Sequence, residues 1–125
     1  MAAAAVDMLL WLLGRLLGVP FRVWPGDGGS EVVLGPLAII GATLFASLLA
    51  GLAAGIMGRL VRSPVPWIAI GGLIVTLASL TNPWGQPDQV PTSTRVLLTV
   101  VHVVTGALVT FGLARGIWTD DRALR

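Results

Sequence analysis

Long apolar segments separated by short polar ones make up most of this chain, and one segment dominates the pattern. From Leu37 to Gly58 the sequence runs 22 residues without a charge, and Arg59 and Arg62 close the run. As an α-helix rising about 1.5 Å per residue, such a segment extends roughly 33 Å, enough to cross the hydrocarbon core of a bilayer. The pattern therefore predicts a membrane-spanning helix over residues 36–60.

The same segment carries small side chains at every fourth position, in two neighbouring rows. The rows consist of Ala42, Ala46, Ala50, Ala54 and Gly58, and of Thr43, Ser47, Gly51 and Gly55. Small residues let helices in lipid approach closely, where dispersion and interhelical hydrogen bonds hold them together. Two interpretations stay open. The rows pack inside one four-helix bundle, or one of them is a seam for a second copy or a larger partner.

Three further apolar segments predict helices over residues 2–18, 66–81 and 95–117. The first is interrupted by Asp7 and Arg15, which are costly inside a membrane but less so away from the helix centre. A cleaved signal peptide is the alternative for this segment. It requires a positive charge before the apolar part, whereas the first positive residue here, Arg15, follows it. We therefore expect a retained helix.

The segments between the spans are rich in glycine and proline. Residues 18–35 are expected to form a loop, because this density of breakers disfavours both helix and strand. Within it, Phe21 and Trp24 are candidates to anchor the loop at the lipid headgroups. Pro64 and Pro66 force the chain to reverse after residue 62, and residues 82–94 predict a second polar loop.

These elements predict an all-α fold in which residues 1–125 form one integral membrane four-helix bundle. Four spans place both termini and the turn at residues 59–66 on the same side. That side collects five arginines, and the other side collects three. Because positive residues concentrate on the inner side of membranes, we expect both termini on the cytoplasmic side, in a bacterial plasma membrane.

Composition supports this environment and excludes several functions. Apolar residues make up 55% of the chain and charged residues only 11%, too few to cover the surface of a soluble domain. The net charge is +2, with scattered arginines and no basic stripe, so we expect no nucleic-acid partner. The chain has no cysteine, which removes disulfides, thiol catalysis and Cys-ligated metal sites. No phosphate-binding loop or metalloprotease pattern occurs either.

Five polar residues on the first and last spans are candidates for a polar network or a ligand site: Asp7, Arg15, Thr99, His102 and Thr110. Ionisable groups at membrane depth usually face the bundle interior and often mark function. His102 carries three alternatives: a neutral imidazole bonded to a threonine or carbonyl, a proton-coupled or ligand-binding group, or a haem or metal ligand. The third requires a second imidazole from another copy. We expect no bound cofactor and no metal.

The spans also carry a resemblance. Asp7, Trp11, Gly14, Arg15 and Gly18 in the first span, the small-rich second span, and the sequence from Val101 to Gly106 resemble a family of small, uncharacterised four-helix membrane proteins from actinobacteria. The resemblance implies four spans over nearly the whole chain and no assigned activity.

The resulting hypothesis is a non-enzymatic membrane protein, either an accessory subunit or an oligomeric scaffold, with the bilayer and a homo-oligomer or larger complex as partners. One alternative is a small transporter or channel-like protein with a polar seam around His102 and Arg15. A further alternative is a lipid or quinone binder.

Overall fold

The computed structural model describes residues 2–24 and 30–123, with side chains described as far as residue 116. The described chain is mostly helical and contains four long helices. They are α1 (Ala2–Leu16), α2 (Pro36–Leu60), α3 (Pro64–Ser79) and α5 (Thr92–Ala123). A single-turn helix, α4 (Thr81–Trp84), continues α3, and two short strands, β1 (Arg22–Val23) and β2 (Val32–Val33), pair antiparallel between α1 and α2.

Three of these helical segments are long and apolar enough to cross a membrane: Pro36–Leu60, Pro64–Trp84 and Thr92–Gly116. Each matches one predicted span. The predicted first span exists as a helix, but its 15 residues make it the shortest of the four. Its length corresponds to about 22 Å.

Prolines fix where the long helices begin. Pro36 and Pro64 both occupy the first turn of their helices, where a missing backbone N–H costs nothing. The third helix therefore starts two residues before the expected position. The last helix also starts earlier than expected, because the Pro91 carbonyl accepts hydrogen bonds from the N–H groups of Thr94 and Arg95.

The loop over residues 18–35 is more ordered than predicted. Besides the β1–β2 pair, Phe21 is fully buried and adopts a left-handed backbone conformation with φ 53°. It forms a small apolar cluster with Val19 and Ile39, and its ring centroid lies 6.1 Å from that of Trp11. The expectation that Phe21 anchors the loop at the headgroups is therefore wrong. Its side chain points inward and packs in the interior at the loop end of the bundle.

Contacts between side chains fix the directions of the helices. Asp7 contacts both Thr43 and Thr105, whereas Leu97 lies beside Gly14 at the other end of α1. Helix α1 therefore runs antiparallel to α5. Trp11 donates to the Leu34 carbonyl, which places α2 antiparallel to α1 as well. Helices α2 and α5 consequently run in the same direction.

Most apolar side chains of the long helices are exposed. Leu37 and Leu60, at the two ends of α2, are 83% and 78% exposed. Other leucine, isoleucine and valine side chains along α2, α3 and α5 are exposed as well. A helix that is apolar on every side is normally buried in a large core or in a membrane. This chain has too few residues for the first, so its surface suits lipid.

Candidate functional site

The most unusual feature of the interior is a buried carboxyl group. Asp7 on α1 is 0% exposed, and two threonine hydroxyls contact it. Thr43 Oγ1 lies 2.6 Å from Asp7 Oδ2, and Thr105 Oγ1 lies 2.7 Å from both carboxyl oxygens. We call these three residues the Asp7 cluster. It joins α1, α2 and α5 at one level of the bundle.

The cluster lies in the half of the bundle near the loops. Pro36, the first residue of α2, precedes Thr43 by seven positions, or about 10 Å along the helix. Thr43 Oγ1 also lies 2.9 Å from the Ile39 carbonyl oxygen of its own helix, the usual position for a helical threonine in apolar surroundings. Because no arginine or histidine hydrogen-bonds to Asp7 among the described side chains, the two hydroxyls are its polar environment.

His102 lies one turn nearer the loops than Thr105. Its Nδ1 is 2.7 Å from the Leu98 carbonyl oxygen. A carbonyl oxygen only accepts hydrogen bonds, so Nδ1 is the donor in this contact. Thr99, one turn further along, accepts a hydrogen bond from the Trp84 indole and donates to the Arg95 carbonyl. These two predicted site residues are therefore engaged locally, and neither contacts Asp7.

The predicted network between Arg15 and His102 does not form. Arg15 is exposed at the end of α1 and makes no hydrogen bond or ion pair within the described part of the chain. The antiparallel pairing of Gly14 with Leu97 places it beyond the level of His102. The ring of Trp11, one turn before Arg15, packs against Phe21.

Thr110 has a packing position rather than a place beside Asp7. A Cβ built on Gly72 of α3 would lie 2.6 Å from Thr110 Cγ2, and a Cβ built on Gly106 would lie 2.8 Å from Thr76 Cγ2. Each helix thus inserts one threonine against a glycine of the other. This reciprocal pair fixes the register of α3 against α5 at close backbone distance.

The small residues of α2 divide between the interior and the surface. Ala54 is buried, and Ala50 and Gly51 are half-buried, whereas Ala46, Gly55 and Gly58 are exposed. Apart from the neighbouring backbone of α2 itself, no atom of the described residues lies within 4 Å of a Cβ built at Gly51, Gly55 or Gly58. The rows therefore contribute to packing within the chain near Ala54 and leave open surface elsewhere.

Comparison with known proteins adds one assignment. A model described as "Family of unknown function (DUF6069)" matches residues 1–118. The chain belongs to this family. No curated protein and no solved structure matches it. Membership in an uncharacterised family confirms that part of the resemblance drawn from the sequence, whereas an actinobacterial origin stays a prediction.

The chemistry available at the Asp7 cluster is limited by its burial. A carboxyl group next to a threonine hydroxyl is a potential base and nucleophile pair, but Asp7 and Thr43 are buried and no substrate reaches them in this arrangement. The described residues contain no group of three or more metal-ligating side chains. What the cluster does as it stands is hold three helices together through its hydrogen bonds.

Proposed function

We propose that this protein is an integral membrane protein that works as a non-enzymatic scaffold or accessory subunit, assembling through α2. The observation that carries the proposal is an exposed apolar face of α2 lined with alanines. Ala42, Ala46 and Ala53 are exposed, and so are Leu49, Ile56 and Leu60. Their spacing alternates between four and three residues, which is the heptad spacing of a helix–helix seam.

The occupant we propose for this seam is the same face of a second copy. The seam contains no charged residue, so two copies meet without burying a charge. The alanines at positions 42, 46 and 53 let two backbones approach closely, and the larger side chains fill the remaining layers. The C-terminal side of α2 adds Arg59 only outside the seam, where its charge stays at the membrane surface.

Single-cysteine variants test this directly, because the natural chain contains no cysteine. We expect Ala46→Cys to form a disulfide-linked dimer upon mild oxidation in native membranes. Ala69→Cys, at an exposed position of α3, is the matched control and should remain monomeric. Equal cross-linking of the Ala46→Cys and Ala69→Cys variants would contradict the proposed seam. The absence of cross-linking in cysteine variants of Ala42, Ala46 and Ala53 would contradict it as well.

A second candidate function, a small proton-coupled transporter, is favoured by the Asp7 cluster. Buried carboxyl groups without a basic partner are characteristic of proton-carrying sites in membrane proteins. Hydroxyls such as those of Thr43 and Thr105 both donate and accept, so they can pass a proton to or from Asp7.

Reconstitution into vesicles that contain a pH-sensitive dye separates the two functions. A transporter is expected to dissipate an imposed proton gradient at a rate that Asp7→Asn reduces by at least about tenfold, since removing the essential proton-carrying group removes the step it performs. Thr110→Val, outside the Asp7 cluster, should leave that rate unchanged. A rate equal to that of empty vesicles, or one unaffected by Asp7→Asn, would exclude this candidate.

A further inference from the structure

An apolar layer separates the Asp7 cluster from the loop end of the bundle. We call it the Phe21 layer, and it consists of Val19, Phe21 and Ile39, with Trp11 and Leu97 packed against them. On α1, Trp11 follows Asp7 by four residues, and on α2, Ile39 precedes Thr43 by four residues. Each step is about one helical turn along the same face, or about 6 Å. The Phe21 layer therefore lies between the buried carboxyl group and the loops.

Phe21 holds its place in this layer with a strained backbone. Of the described residues other than glycine, it alone has a positive φ, at 53°, where the Cβ of an L-residue crowds its own backbone. Its side chain is fully buried, so the packing of the ring offsets the strain. Residues held in such conformations by their surroundings are concentrated at ligand clamps and switches.

The ring of Phe21 rests against the backbone of α1 at Gly14. A Cβ built on Gly14 would lie 2.7 Å from Phe21 Cζ and closer still to Leu97 Cδ2, so only glycine leaves room for the ring there. The chain is anchored on both sides of Phe21. The Val19 N–H donates to the Gly14 carbonyl at 2.9 Å, and the β1–β2 pair begins at the next residue. The part that can move is therefore Phe21 itself rather than the whole loop.

From this combination we infer that Phe21 is a gate between the Asp7 cluster and the water at the loop end. While the ring lies in the Phe21 layer, Asp7 is sealed, and when the ring leaves the layer, water reaches the carboxyl group. The inference rests on the proposed membrane location, in which lipid covers the sides of the bundle. It deepens the second candidate function, because a proton carrier at Asp7 requires contact with water.

A single thiol beside Asp7 measures this access, because the natural chain contains no cysteine. The Thr43→Cys chain is placed in lipid nanodiscs and treated with a water-soluble, positively charged methanethiosulfonate, and mass spectrometry follows the modification. We expect slow modification while Phe21 is present. Adding Phe21→Gly, which suits the positive φ and removes the ring, should accelerate it by at least about tenfold, since the rate follows the open fraction. Gly14→Ala, whose Cβ displaces the ring, should accelerate it as well.

Two controls separate a gate from general loosening of the bundle. Gly72→Ala creates a comparable clash on α3, with its Cβ 2.6 Å from Thr110 Cγ2, and should leave the rate at Thr43→Cys unchanged. Ser63→Cys, at an exposed position between α2 and α3, should react rapidly in every background and shows that the reagent is active.

Three results would overturn the inference. They are no modification of Thr43→Cys while Phe21 is present, an unchanged rate in both Phe21→Gly and Gly14→Ala, or equal acceleration by Gly72→Ala. Labelling and proton flux can fail separately. The expected labelling without flux in vesicles would exclude the transporter and retain the gate, whereas flux without accelerated labelling would exclude the gate alone.

Discussion

Replacing Thr105 with valine is expected to destabilise the protein by about 1–3 kcal/mol, the usual cost of leaving a buried polar atom without its partner. Thr105 Oγ1 is the hydroxyl that reaches both carboxyl oxygens of Asp7, at 2.7 Å each. Valine keeps the shape of threonine and removes only the hydroxyl, so Asp7 Oδ1 loses its hydrogen-bond donor. Reversible denaturation of the detergent-solubilised protein measures the change in the free energy of unfolding.

Two further threonine-to-valine variants show whether the loss of stability comes from the hydrogen bonds to Asp7. Thr43→Val should cost less than Thr105→Val, because Thr105 still reaches both oxygens in its absence. Thr110→Val should be nearly neutral, since Thr110 contacts Gly72 rather than Asp7 and valine preserves that shape. Equal effects of all three substitutions would mean that the Asp7 cluster does not hold α1 in place.

The sequence predicted that Asp7 belongs to a polar site but not which residues complete it. Helices α2 and α5 are apolar around most of their circumference, so hydrophobic periodicity does not reveal which face of each helix is buried. Several threonines of the last helix are therefore equivalent candidates in the sequence, which predicts Thr99 and Thr110, whereas Thr105 makes the contact. Thr43 could have been predicted as a partner of Asp7. In the row of Thr43, Ser47, Gly51 and Gly55, it is the hydroxyl residue that lies near the level of Asp7.

The helices themselves were predictable, and the connections less so. Long uncharged segments, closing arginines and prolines at the first turn determine where α2 and α3 begin and end. The loop between α1 and α2 was harder, because strands of two residues leave no alternating pattern. Its decisive residue, Phe21, is buried by a contact with Gly14 of α1, and contacts between elements are not encoded in local composition.

The structure also distinguishes two uses of glycine that the sequence does not separate. Gly14, Gly72 and Gly106 lie against a neighbouring side chain so closely that a Cβ has no room, whereas Gly51 and Gly58 face open space. The first group sets the packing of the described chain. The second group is not required by that packing.

Replacing Gly106 with alanine is accordingly expected to destabilise the protein by about 1–3 kcal/mol, the usual cost of overpacking a close contact. The added Cβ would lie 2.8 Å from Thr76 Cγ2 and closer still to the Thr76 hydroxyl. That hydroxyl cannot simply rotate away, because it donates to the Gly72 carbonyl at 2.7 Å. Helices α3 and α5 must therefore separate along the reciprocal threonine–glycine pair.

The matched control is Gly112→Ala on the same helix, where none of the described atoms outside the backbone of α5 lies within 4 Å of the new Cβ. Alanine is the better helix former by up to about 1 kcal/mol, so this variant should be neutral or slightly more stable in the same denaturation experiment. Combining Gly106→Ala with Thr76→Ala should restore most of the lost stability, since the second change removes the atoms that clash. If the single variant were as stable as Gly112→Ala, or the double variant were no more stable than Gly106→Ala, then close approach at this pair would not determine how α3 packs on α5.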